Sequence, residues 1–222
     1  MTSHLPIVET FHSLQGEGTH FGKSAFFIRI AGCEVGCLWC DTKESWSTET
    51  HKTATISELC KQTVQAQSQG AAILVITGGE PLHHNLTPLC EAIMHSTIAE
   101  NKKRIPIHLE TSGVYQLSGV MNWITLSPKR HLHPQESVLR ACDELKIVIH
   151  QEEDLIFAEE MAQQSLIAKK SKSKDSKDSL IPHLFLQPGW NSEKGKQLTI
   201  QYIKSHPKWR LSVQAHKWLG VL

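Results

Sequence analysis

No apolar run in this chain approaches the ~20 residues that a membrane-spanning helix needs, so no membrane partner is expected. The opening residues, MTSHLPIVETFHSLQGEG, lack the basic stretch and apolar core of a secretory leader, and a cytoplasmic location follows as the expectation. An excess of one charge sign is also missing. Lys and Arg total 23 and Asp and Glu 22, a formal net charge of +1, so bulk electrostatics give no reason to expect direct nucleic-acid binding. Internal repeats are absent. Cysteine is present six times, but without a secretion signal a disulfide framework is the poorer reading, and thiolates for metal or redox work are the better one.

With 222 residues, 40% apolar and 20% charged, the chain suits one globular domain spanning 1–222 with a full-sized core. Its rhythm is α/β. Short apolar runs flanked by turn residues fall at Ala25–Ile30, Ile73–Thr77, Ile105–Glu110, Trp123–Leu126, Leu145–Ile149, Leu184–Leu186 and Arg210–Val213. Such runs suit strands covered on both faces in a parallel sheet. Helical spacing covers Ile56–Gln69, starting after Thr55 or at Ser57, then Leu86–Glu100 and Glu152–Leu166. Strand followed by helix, repeated, makes βαβ units. About six units of ~30 residues fall short of the eight that close a barrel. The expectation is a partial, open (β/α) barrel with its chemistry at the C-terminal ends of the strands. The stretch Ala168–Ser179, AKKSKSKDSKDS, carries no apolar residue beyond its first alanine. It reads as a flexible solvated insertion rather than a nucleic-acid arm, because aspartates interrupt the lysines.

The chemistry lies in residues 33–42, CEVGCLWCDT, where Cys33, Cys37 and Cys40 are separated by three residues and then by two. Disulfides need pairs and a closed zinc site needs four ligands. A cubane [4Fe–4S] cluster with three thiolates keeps one iron open, and that iron can chelate an amino and carboxylate group. A zinc site completed by histidine is the competing reading, but no second Cys/His knuckle with suitable spacing is present. Cys60, Cys90 and Cys142 are isolated and read as buried small hydrophobes. A second motif, ILVITGGEP at 73–81, runs a strand into Gly78 and Gly79, which let backbone approach a ligand closely, with the Glu80 carboxylate able to help hold an amine. Polar residues end two later runs, at Glu110, Thr111 and Ser112 and at Ser127 and Lys129.

The Cx3CxxC spacing with Trp39 before the last cysteine, followed by TGGEP, closely resembles the radical S-adenosylmethionine superfamily. There the reduced cluster cleaves S-adenosylmethionine to give a deoxyadenosyl radical that abstracts a substrate hydrogen. SLQGEG at 13–18, the FIRI strand, CDT at 40–42, ETSG at 110–113, SPK at 127–129, LQP at 186–188 and VQAHKWLG at 213–220 together resemble the 7-carboxy-7-deazaguanine synthase family, end to end. The resemblance implies conversion of 6-carboxy-5,6,7,8-tetrahydropterin to 7-carboxy-7-deazaguanine with loss of ammonia, in queuosine and 7-deazapurine biosynthesis. It implies a [4Fe–4S] cluster on Cys33, Cys37 and Cys40, S-adenosylmethionine, and Mg2+ on Thr42. The substrate would meet Leu14, Gln15, Gly16, Arg29 and Thr77. The cofactor would meet Trp39, Cys40, Asp41, Gly79, Ser127, Pro128, Lys129 and Gln187. An electron donor such as flavodoxin or ferredoxin and a homodimer are implied as well. A glycyl-radical activase would share the cysteine and GGEP elements but lack SLQGEG, and a non-enzymatic zinc protein would take up no iron. Bland roles stand beside these: an exposed charge for Arg29, a hairpin turn for Gln15–Gly18 and a helix cap for Thr42. The chain ends in Leu222 where some relatives end in proline.

Overall fold

The computed structural model describes residues 4–99, 104–170 and 181–221. Nine strands follow one another along the chain: β1 (His4–Leu14), β2 (Ser24–Ile30), β3 (Lys52–Thr55), β4 (Ile73–Gly78), β5 (Ile107–Thr111), β6 (Trp123–Leu126), β7 (Glu144–Ile149), β8 (His183–Pro188) and β9 (Arg210–Leu211). Six helices accompany them among the described residues: α1 (Ile56–Ser68), α2 (Thr87–Ala99), α3 (Glu136–Ala141), α4 (Glu152–Lys170), α5 (Glu193–Ser205) and α6 (Ala215–Leu219). The strands make one sheet in the order β3-β1-β2-β4-β5-β6-β7-β8-β9. From β2 onward the neighbours are parallel, while β1 runs antiparallel to both β2 and β3. The two end strands do not pair with each other, so the barrel stays open. Of the six parallel crossovers, the β5–β6 connection alone carries no helix among the described residues.

Alternation along each strand sorts side chains onto two faces. Phe26, Ile28 and Ile30 of β2, Leu74 and Ile76 of β4, Leu145, Ile147 and Ile149 of β7 and Leu184 and Leu186 of β8 join the buried core under the helices. The residues between them, including Arg29, Thr77, Lys146 and Gln187, face a concave cavity instead. A smaller apolar cluster of Ala25, Phe27, Ile73 and Val75, with Phe11 of β1 packed against it, supports that concave face near its β1 side.

The expected strands and helices are present, most with ends shifted by one or two residues. Thr55 settles the start of α1: its side chain accepts from the Glu58 amide and Glu58 answers the Thr55 amide, a reciprocal cap. The expected strand at Arg210–Val213 is paired over Arg210–Leu211 only. The first three positions of the expected insertion, Ala168–Lys170, are helical instead. Helix α4 continues to Lys170 and Ala168 is buried in the core, while positions 171–180 lie outside the described residues. Five of these strands and helices had no sequence expectation: β1, β3, α3, α5 and α6. Strand β1 is half-buried along most of its length, so it shows no clean alternation, and α5 buries only Gly195 and Thr199 fully.

The open side of the barrel is crossed by the β1–β2 loop. The Thr19 amide donates to Glu144 at 2.8 Å, the Gly18 amide to Ser212 Oγ at 3.2 Å, and the Ala215 amide to the Gly16 carbonyl at 3.1 Å. SLQGEG is therefore less a simple hairpin turn than a bridge from the β1–β2 edge to β7 and the chain's C-terminal end.

Candidate active site

A cavity of about 900 Å3 opens at the C-terminal ends of the strands and runs down the concave face. It is lined by Cys33, Cys37 and Cys40, by Leu14, Gln15, Gly16, Arg29 and Thr77, by Trp39, Asp41, Gly79, Ser127, Lys129 and Gln187, and by Thr42. Every residue expected at the site is thus in one place except Pro128. That proline is buried and absent from the lining, between Ser127 and Lys129, which both line the cavity.

The cysteine loop leaves the end of β2 and is tied back by the Gly32 and Cys33 amides, which donate to Ser45 O at 2.8 Å and Trp46 O at 3.1 Å. Its outer side is held by His84 Nε2 at 2.7 Å from Ala31 O and His131 Nε2 at 2.7 Å from Val35 O. Cys33, Cys37 and Cys40 are free thiols. Burial pushes the Cys33 thiol up, with Glu80 and Cys40 adding to the rise, and burial likewise raises Cys37, opposed by the nearby Lys129 ammonium. A soft metal that binds the thiolate offsets that cost. Among the described residues no group of three or more His, Cys, Asp or Glu side chains, the three cysteines included, is already drawn together around one ion. Three thiols lining one wall of a roomy cavity fit a cuboidal cluster, whose irons take one thiolate each.

The two glycines at the end of β4 serve packing first. Gly78 has φ +143°, and its backbone lies directly against Ile30, where a Cβ would overlap. At Gly79 a Cβ would come within 2.7 Å of Gly32 O, 2.8 Å of Cys33 Cβ and 2.9 Å of Ser45 O. They let the cysteine loop dock on the end of β4. Glu80 differs from expectation. It is 1% exposed, and its carboxylate accepts from Thr111 Oγ1 at 2.5 Å, Ser112 N at 2.7 Å, Ser112 Oγ at 2.5 Å and Leu82 N at 3.0 Å. With four donors it braces the GGEP turn against the end of β5 rather than standing open for an amine.

Arg29 faces the cavity, but its Nε donates to Glu9 Oε1 at 2.9 Å and its guanidinium lies 5.8 Å from the Phe11 ring centre. This contradicts a simple exposed charge. Glu110 accepts from Gln15 Nε2 at 3.0 Å and from Thr77 Oγ1 at 3.4 Å, which joins three strand or loop residues into one polar floor. Lys129 donates to Ser127 Oγ at 3.0 Å, and burial lowers its pKa against the pull of Cys37. Thr42 sits at the start of a short 3-10 turn, yet its side chain makes no capping bond, and its carbonyl accepts from Ser45 Oγ at 2.6 Å instead. Its hydroxyl lies 3.7 Å from Cys40 Sγ.

The cavity also contains residues to which the sequence assigned no role: Glu9, Glu17, Lys146, His150, Trp190, Gln214, His216 and Lys217. A lysine in the middle of the apolar run LKIVI was the available signal for Lys146. Nothing local marks a role for Trp190, and the VQAHKWLG segment holds Lys217 without showing what it contacts; both depend on tertiary contacts.

The family described as 4Fe-4S single cluster domain matches residues 14–150. The chain is 68% identical over 226 aligned residues, all of both chains, to the 7-carboxy-7-deazaguanine synthase of Prochlorococcus marinus. It is 32% identical to that of Escherichia coli (strain K12), covering 97% of this chain and 98% of the other. The crystal structure of QueE from Escherichia coli superposes with a TM-score of 0.74 at 29% identity, over 95% of this chain and 93% of that one. With the cysteine loop, the glycine-docked turn and the open barrel all in place, the chain belongs to the 7-carboxy-7-deazaguanine synthase family.

Proposed function

We propose that the chain acts as one radical S-adenosylmethionine domain that converts 6-carboxy-5,6,7,8-tetrahydropterin to 7-carboxy-7-deazaguanine and releases ammonia. The observation that carries this reading is the convergence of the three cysteines and the SLQGEG, Arg29, Thr77 and Ser127–Lys129 residues on one cavity. When bound, the cluster and S-adenosylmethionine supply hydrogen-atom abstraction; the chain's own residues bind, orient and exclude water. Cys33, Cys37 and Cys40 hold the cluster. Trp39, Asp41, Gly79, Ser127, Lys129 and Gln187 surround the cofactor. Gln15, Glu110 and Thr77, already joined by hydrogen bonds, offer a donor–acceptor floor to a pterin edge, with Leu14 and Gly16 beside it. Arg29 lines the cavity with its Nε on Glu9, and its terminal nitrogens would take the substrate carboxylate.

The reading includes one Mg2+ on the Thr42 hydroxyl, supported by the place of Thr42 in the cavity lining beside Cys40; substrate and water would complete an octahedron around so loosely held an ion. It includes a flavodoxin- or ferredoxin-type donor, supported by the 85% exposure of Leu38 at the tip of the cysteine loop. It also includes a homodimer, supported by the exposed Leu211, Val213, Trp218 and Leu219 at the β9 end of the sheet. The helices of the described residues are not long and apolar enough to cross a membrane.

Anaerobic reconstitution with iron and sulfide, followed by mass spectrometry of the product from the carboxypterin, tests the reaction. Carboxydeazaguanine and ammonia in equal amounts are expected. A reconstituted protein that cleaves S-adenosylmethionine but leaves the pterin unchanged would overturn the substrate.

A further inference from the structure

The half of the cysteine loop that carries Cys40 is held from across the cavity. The first half, through Val35, is fastened to neighbouring turns by the backbone and histidine contacts already described. The second half carries the outward-facing Leu38 and the partly exposed Trp39. Directly after Cys40, the Asp41 carboxylate receives Lys217 Nζ in an ion pair and Gln214 Nε2 at 3.3 Å. Lys217 and Gln214 are themselves joined, Nζ to Oε1 at 3.3 Å. The Lys217 ammonium also lies 4.7 Å from the centre of the Trp190 ring, in the connection after β8. Helix α6 is fixed on its other side by the Ala215 amide to the Gly16 carbonyl, and Val221 beyond it lines the cavity.

We propose that Lys217 is a positioning residue that clasps Asp41, and through it Cys40, closing the last turn of the chain over the cofactor end of the cavity. One cation joins three segments far apart in sequence: the cysteine loop, the β8–α5 connection and α6. Its lever arm is short, since Asp41 is bonded to Cys40. Opening of the clasp frees the exposed Leu38–Asp41 stretch and admits solvent to the third thiolate. Local openings of this kind set how fast a buried group is lost, independently of global unfolding. Lysine suits the place because its flexible stem reaches the carboxylate and the ring together, and an arginine, also cationic and better at stacking, serves both contacts.

The inference rests on the reading that Cys33, Cys37 and Cys40 carry the cluster, and its test separates the two. The reconstituted holoprotein is mixed anaerobically with a ferrous chelator, and loss of the cluster's visible absorbance is followed for the parent, Lys217→Met and Lys217→Arg. Lys217→Met should release iron about three- to ten-fold faster, the range expected for losing a half-exposed ion pair with a cation–π contact. Lys217→Arg should stay near the parent rate. Equal rates for Lys217→Met and the parent would overturn the clasp, as would equally fast release from the Met and Arg variants, which would make the contact steric. If Lys217→Met does not fold, the exchanged pair Asp41→Lys with Lys217→Asp decides: recovery of slow release supports the clasp, and a loaded but fast-releasing double variant overturns it. A parent that takes up no cluster would instead overturn the cysteine reading on which this rests.

Discussion

Lys146 of β7 reaches Glu17 of the β1–β2 loop in an ion pair whose side chains are only 7% and 13% exposed. Burial alone would push the Glu17 carboxyl up, but attraction and hydrogen bonding from Lys146, with His216 and Gln187, hold it below its ordinary value. Burial works against the Lys146 charge too, and Glu17, Glu110 and Glu144 together raise its pKa above the usual lysine value. The pair fastens the bridging loop to the far side of the barrel and keeps two charges under the substrate floor.

Removing one partner leaves the other charge buried and unpaired, which typically costs about 3–5 kcal/mol. Lys146→Met should therefore lower stability by that order in urea unfolding of the metal-free chain, and Glu17→Gln combined with Lys146→Met should be milder than Lys146→Met alone. A double variant that is as unstable as the sum of the singles would mean the two residues do not act as a pair.

The cysteines separate by position. Replacing Cys33, Cys37 or Cys40 by Ala should abolish cluster assembly, read as iron per chain after reconstitution. Cys60, Cys90 and Cys142 are buried in the core, and their Ala variants should keep parental iron content. Cys142→Ala should show only a stability loss, since its Sγ faces Leu139 O at 3.2 Å and Ser165 Oγ at 3.5 Å.

Gly79→Ala tests the docking of the cysteine loop. The added methyl would meet two carbonyls and the Cys33 Cβ at 2.7–2.9 Å, and backbone cannot yield as a flexible side chain can. Iron uptake should fall sharply while the far-ultraviolet circular dichroism of the fold is kept. Parental uptake would show that the loop docks differently from the geometry described.

Arg29 and Glu9 divide binding from orientation. Arg29→Ala should assemble the cluster normally but bind the carboxypterin more weakly by about 1.5–3 kcal/mol, the worth of a charge-assisted contact. Arg29→Lys should not restore it, because an ammonium lacks the planar fork. Glu9→Gln keeps the hydrogen bond without the charge and should cost less. Unchanged pterin affinity in Arg29→Ala, measured by equilibrium binding, would reduce Arg29 to a structural partner of Glu9.

What is legible in the sequence follows from chain distance. Cys33, Cys37 and Cys40, and the strand leading into Gly78 and Gly79, are local patterns, and a linear reading finds local patterns. The apolar runs are legible as strands, but their alternation holds more. His108 and Glu110, Trp123 and Thr125, and Glu144 and Lys146 are polar or aromatic at every second place, the mark of one face turned to a polar cavity. Lys146 is visible on that basis, although the apolar residues around it suggest a strand covered on both faces. Lys217 stands in the VQAHKWLG segment, but its role is not visible there, since its partners Asp41 and Trp190 lie 176 and 27 positions away. Glu80 shows the reverse case: a motif residue at the right place whose carboxylate is consumed by Thr111 and Ser112, which only the packing of β5 beside β4 reveals.

The floor of the barrel predicts a pH dependence. His108 of β5 packs 4.5 Å from His20 and 6.3 Å from Trp123, ring centre to ring centre. Burial, then the charges of His20 and Lys23, push its pKa down to about 3 from an ordinary 6.5. Between those values the unfolded chain takes up a proton that the folded chain refuses. Stability from this group is therefore complete above pH 6.5 and declines as pH falls toward 3, by up to about 1.4 kcal/mol per pH unit. His20 is shifted in the same direction, first by burial, and adds to the slope. Glu17 contributes to acid sensitivity only below its ordinary value of 4.5, so its window opens lower. Urea unfolding of the metal-free chain at about pH 7 and about pH 5 should show a marked loss for the parent, and His108→Gln, which carries no titrating group, should lose less across the same interval. A His108→Gln variant with the parent's slope would mean that His108 accepts its proton in the folded protein, and that the floor beneath Glu110 and Lys146 is wetter than this packing allows.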